Sequence, residues 1–149
     1  MIQAVVLSIL AVTICTAIHY GTLKTVSDAI ARGGGAKRGR HIALTVGAVT
    51  TAHVVEALIY TAIFLWAARG LGIGELNVPG LEAKDAGVMD YFYFSLVNFT
   101  TLGRGDLNPD GHLRFITGIE AFHGFLMITA SGSFMLQVMG GKAPLSENG

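Results

Sequence analysis

Charge, cysteine and an N-terminal basic cluster are all in short supply here. Charged residues make up 13% of the 149 residues against 52% hydrophobic residues, and mean hydropathy is +0.57. That is too little charge to cover a soluble domain, and it puts the chain in a lipid bilayer. The formal net charge is zero, which gives nucleic acid binding no support. A lone cysteine, Cys15, lies in an apolar run; it rules out a disulfide framework or a thiolate metal cluster within one chain and reads as a small buried hydrophobe. No Lys or Arg precedes Lys24, so the basic start of a secretory leader is missing and residues 2–23 are read as a span. Catalytic patterning is missing too. Ser95, Ser131 and Ser133 have no base at recognisable spacing, and no enzyme is expected.

What is present is apolar length. A helix needs about 20 residues to cross the hydrocarbon core, and residues 2–23, 42–68 and 113–139 each supply that. Between the first two, residues 24–41 carry Lys24, Arg32, Lys37, Arg38 and Arg40 against Asp28 alone, with a Gly33-Gly34-Gly35 break. By the positive-inside rule this loop is expected in the cytoplasm. The connection 69–112 has the opposite bias: Glu75, Glu82, Asp85, Asp90, Asp106 and Asp110 outnumber Arg69, Lys84 and Arg104. An outside location follows, with the amino terminus outside and residues 140–149 a short cytoplasmic tail.

Within that outer connection, residues 91–99 are aromatic and apolar, too short to span and too hydrophobic for water. They suit a half-membrane, re-entrant helix with Asp90 as its N-cap, broken by Gly103 and Gly105 before Asn108-Pro109-Asp110-Gly111 turns the chain. Irregular backbone at membrane depth is tolerated only where protein buries it or it lines a watery cavity, so such a segment implies a pore.

The residues after this helix, Thr100-Thr101-Leu102-Gly103-Arg104-Gly105-Asp106, resemble the selectivity-filter signature of potassium channels, usually Thr-Thr-Val-Gly-Tyr-Gly-Asp. Carbonyls aimed at an axis replace the hydration shell of an ion, and alternating glycines permit the backbone angles that this requires. With Tyr93-Phe94-Ser95-Leu96-Val97 before the motif and the run from His112 to Ala121 after it, the chain is similar to small bacterial members of the two-pore-domain potassium channel family. The resemblance covers residues 42–139. It implies an all-α membrane protein of three transmembrane helices plus a re-entrant pore helix and filter loop, assembled as a homotetramer in the inner (plasma) membrane with K+ or another monovalent cation in the filter and no required cofactor. The units expected are a first span at 1–23, the basic loop 24–41, a pore module 42–139 and the tail 140–149. The module divides into outer helix 42–68, linker 69–89, pore helix and filter 90–106, and inner helix 113–139. Gly124 sits near the hinge glycine of such inner helices; helix packing is the competing role, and Gly118 and Gly132 compete for either.

Arg104 departs from the pattern. Tyrosine at that position packs behind the filter, whereas a guanidinium can stack on Tyr93 or Phe94 and needs an anion, for which Asp106 or a neighbouring subunit is at hand. Val97 stands where many potassium channels have a bracing glutamate, a role open to Arg104. Three outcomes follow: K+-preferring conduction, weakly selective conduction of monovalent cations, or a closed filter.

Ionisable residues inside the spans form a second candidate site. His53 and Glu56 on one span, and Glu120 and His123 on the next, have i, i+3 spacing and share a helix face. Groups at such depth find partners. They fit a Glu–His network locking the helices, a site for Zn2+ or a similar ion, or a proton sensor. His19 and Tyr20 read as interfacial anchors, and His41 and His112 as solvated. Met127, Met135 and Met139 read as core or cavity lining. A non-conducting scaffold built around the His/Glu cluster, or an accessory subunit, are the alternatives to a channel.

Overall fold

The computed structural model describes residues 1–33, 38–80, 82 and 85–146. Gly34, Gly35, Lys37, Lys84 and the tail end at 147–149 therefore lie outside the described residues. Uninterrupted apolar sequence yields three long helices, α1 (Ile2–Arg32), α2 (Arg38–Leu65) and α4 (Leu113–Met139), with one short helix, α3 (Val88–Phe99), between the last two. All three long helices, α2 counted to Gly70, are long and apolar enough to cross a membrane. Threonines along them do not break this pattern. Thr13, Thr51, Thr61, Thr117 and Thr129 each donate to the carbonyl four residues back, at 2.7–2.9 Å, so these hydroxyls are satisfied within their own helix.

The first loop is shorter than the charge pattern suggests. Helix α1 continues nine residues past Leu23 to Arg32, because Val26 and Ile30 find a buried seat beside Phe134 and Val138 and Lys24 pairs with Asp28 one turn on. Helix α2 starts at Arg38 rather than at Ile42. The Ser27 hydroxyl accepts the Leu145 amide at 2.9 Å, which ties the tail to α1 at this end.

At the opposite end α2 closes in a π-helical turn, Trp66–Gly70, where the Leu71 amide reaches the Trp66 carbonyl at 3.0 Å. From it Arg69 donates to the Ala86 carbonyl at 2.5 Å and lies 6.0 Å over the Tyr91 ring, holding the entry to α3. Two short strands, β1 (Leu76–Asn77) and β2 (Asn108–Pro109), pair antiparallel with Leu76 opposite Pro109. They clasp both ends of the α3 excursion.

Asp90 is not the N-cap of α3. Gly87 holds that position and Asp90 is the third helical residue, its carboxylate accepting the Gly87 amide at 2.7 Å. An acid in the first turn does the same electrostatic work from inside the helix. Asp90→Ala is expected to cost about 1 kcal/mol, read as a lower thermal midpoint by circular dichroism in detergent.

Two apolar cores stack along the helices. One, beside the linker, joins Ala4, Leu7, Ala11 and Cys15 of α1 to Tyr60, Phe64, Tyr91, Phe94, Phe99 and Ile116. The other, at the tail end, joins Leu23, Val26 and Ile30 to Val49, Phe134 and Val138. Small side chains at positions 4, 8, 11 and 15 let α1 approach its neighbours closely. Between the cores lies a layer of buried polar groups. Outside, Ile2, Phe122 and Leu136 are 81%, 64% and 70% exposed, the apolar exterior expected against lipid or another subunit.

Candidate functional site

The segment after α3 is built from backbone geometry. Helix α3 ends at Phe99, and the Thr101 amide turns back to the Asn98 carbonyl at 2.8 Å. The amides of Leu102 and Gly103 both donate to the Val97 carbonyl, at 2.9 and 3.1 Å. Beyond this anchor φ is positive at Thr101 (58°), Gly103 (49°) and Gly105 (75°), every second residue. Glycine accepts that region freely, whereas a β-branched threonine is strained there by about 1–2 kcal/mol. Residues 100–106 are exposed in the single chain. Tyr93 donates its hydroxyl to Asp106 at 3.2 Å and so takes the bracing position expected of Arg104. Arg104 is exposed and makes no ion pair or ring contact among the described residues. The expected stacking on Phe94 does not form, because Phe94 is buried edge-on against Phe64 at 5.2 Å.

Gly124 meets the end of α3. A Cβ there would collide with the Phe99 carbonyl, while Cβ atoms at Gly118 and Gly132 would meet nothing within 4 Å. Helix α4 runs unbroken through Gly124. The position is a close-packing point that sets the end of α3 against α4.

The buried polar layer joins all four helices, but not in the expected foursome. His53 and Glu56 do meet, Nδ1 to Oε2 at 3.0 Å. Their third partner is His19, whose Nδ1 lies 2.9 Å from Glu56 Oε1. His19 is thus no interfacial anchor: its side chain is 3% exposed, between the two cores. The Nε2 atoms of His19 and His53 both face the Ser131 hydroxyl of α4, at 3.1 and 3.3 Å. Glu120 goes elsewhere. It accepts the Ser95 hydroxyl of α3 at 2.5 Å, a hydroxyl that also lies 2.8 Å from the Ala57 carbonyl. His123 sits between Tyr60 (3.1 Å) and Thr16 (3.1 Å). The i, i+3 rule found the faces but not the pairings, since those depend on the rotation of α1. The signal for His19 was its place four residues after Cys15, on the small-residue stripe that faces the bundle.

An ion-channel family model matches residues 48–140, more than half of the chain. The chain belongs to this ion-channel family. The match takes in most of α2, all of α3, the segment 100–106 and α4, while α1 with His19 lies outside it. Searches of curated proteins and of solved structures returned no match. Family and apolar helices together make this a membrane-embedded ion-channel protein, of a family that is typically non-enzymatic.

Proposed function

We propose that the chain forms a homotetrameric, potassium-channel-like cation channel of the inner membrane, with residues 100–106 as its filter and α3 as its re-entrant pore helix. The observation that carries this reading is the alternation of positive φ at Thr101, Gly103 and Gly105 just after a short buried helix. Alternating handedness turns successive peptide groups toward one side, as carbonyls that replace a hydration shell must be turned. One copy supplies a quarter of such a ring, and α4 is its pore-lining helix. The basic end of α1 and α2 and the tail face the cytoplasm, with the linker and amino terminus outside.

Arg104 is the specificity question within this reading. Its exposure leaves the side chain free to meet a neighbouring subunit, while its carbonyl lines the axis with those of Leu102 and Gly103. Four guanidiniums at the mouth would repel cations by ~4 kcal/mol per close pair at an effective dielectric of 20, so K+ preference here requires each to be paired. Rb+ uptake by liposomes holding the purified protein tests the reading. Uptake above protein-free liposomes, competed by K+ more strongly than by Na+, is the expected result. With Arg104→Tyr, uptake is expected to rise severalfold; absence of uptake in both proteins would count against a channel.

A further inference from the structure

We infer that His19, His53 and Glu56 form an intramembrane site for a zinc-type divalent transition-metal ion, which fastens α1 to the family's pore module. The ligand atoms of these three residues all lie within 4.8 Å of one another. Two imidazoles and a carboxylate, with one position left open, are a recurrent zinc ligand set. This set differs from the two i, i+3 pairs, because His19 replaces Glu120 and His123.

Proton counting shows that a network of two neutral rings is incomplete here, and that one positive charge, as a second proton on one ring beside Glu56 or as a bound metal ion, completes it. Both Nδ1 atoms face the Glu56 carboxylate, at 2.9 and 3.0 Å, so a metal-free network of neutral rings needs a proton on each of them. Both Nε2 atoms are then acceptors, and both face Ser131. One hydroxyl has one proton, which leaves one lone pair facing another. A metal on the two Nδ1 atoms and Glu56 reverses the count: each Nε2 carries its hydrogen, and Ser131 accepts both with its two lone pairs. A metal-bound imidazole commonly donates its other N–H to such a partner, which fixes the ring.

The surroundings fit this reading. The order hydroxyl, imidazole, carboxylate is also that of acyl-transfer triads, but two rings converging on one buried hydroxyl serve a cation better than a nucleophile. The His53 side chain is 18% exposed against 3% for His19 and 0% for Glu56, so it marks the entry path. Glu120 is not a ligand: it is held by Ser95, whose hydroxyl also lies against the carbonyl of Ala57, the residue after Glu56. Bound metal would hold α1 to α2 and, through Ser131, steady α4.

The test uses the full-length protein in detergent, stripped with chelator and titrated with Co2+. One ion per chain is expected, with the visible absorption of a four- or five-coordinate site that Zn2+ abolishes. His19→Ala and Glu56→Gln are expected to weaken binding at least a hundredfold, and Ser131→Ala tenfold or more, while His123→Ala leaves it within a few-fold. The inference is overturned if the wild-type protein retains no Co2+ or shows only the pale spectrum of a six-coordinate aquo ion. It is equally overturned if His123→Ala abolishes binding while His19→Ala does not. Should a variant fail to fold, the wild-type stoichiometry and spectrum still decide. None of these readouts depends on ion conduction, so failure here is distinct from failure of the channel reading.

Discussion

Gly124→Val is expected to abolish recovery of folded, assembled protein, whereas Gly118→Ala and Gly132→Ala behave like the wild type. The physical reason is the backbone carbonyl of Phe99, which stands where the first side-chain atom would go. A flexible side chain can swing away from an intruding methyl group, but this carbonyl belongs to the last residue of α3 and leads directly into residues 100–106. Overpacking a fitted interior costs about 1–3 kcal/mol even where side chains can rearrange, and here α3 must move as a body or α4 must bow. The measurement is the yield and elution volume of the detergent-solubilised protein, followed by Rb+ uptake of whatever is recovered. A gating hinge would behave differently: Gly124→Ala would still assemble and would change only the fraction of open channels. Normal yield and altered uptake for Gly124→Ala would therefore restore the hinge and remove the packing role.

Different physical signals carried the fold and the site. Apolar runs long enough to cross a bilayer identified three spans, because lipid forces backbone groups to pair within each segment and leaves helix as the simple solution. The short aromatic run 91–99 marked α3, and its burial against Phe64 and Tyr60 explains why it is so hydrophobic. Helix ends were less legible. Charge suggested that Lys24 begins a loop, yet packing of Val26 and Ile30 carries α1 on to Arg32. Similarly Asp90 has the chemistry of an N-cap but acts from the third position, a distinction of one helical turn that composition does not encode.

Partnerships across helices were the least legible of all. The i, i+3 spacings on α2 and α4 were visible because one helix sets them, but of the two pairs only His53 and Glu56 meet. His19 was not seen as their partner, since which face α1 turns inward depends on the small side chains of Ala4, Ser8, Ala11 and Cys15 meeting a neighbour. Tyr93 as the partner of Asp106 was missed for a similar reason: the two are joined by the fold of residues 100–105, and that fold comes from alternating backbone handedness rather than from side-chain pattern.

Gly103→Ala and Gly105→Ala carry the second large expected effect, and they separate folding from conduction. Within one chain a Cβ at either position meets nothing within 4 Å, so no packing opposes the substitution. What opposes it is φ, at 49° and 75°, a region that costs an alanine about 1–2 kcal/mol. Each chain can bear that strain and still fold, so the thermal midpoint is expected to fall by only a few degrees and the elution volume to stay close to wild type. Conduction has no such tolerance, because relaxing φ toward negative values rotates the neighbouring peptide groups away from the common side. In the proposed tetramer four copies act on one ion, and a barrier raised by only ~3 kcal/mol slows passage about a hundredfold. Rb+ uptake is therefore expected to fall at least tenfold for either variant, with the double variant inactive. Unchanged uptake in the double variant would mean that these carbonyls do not line the path, whatever the resemblance of the string. Loss of assembly together with uptake would instead show that residues 100–106 hold the subunits together, a contact that a single chain does not contain.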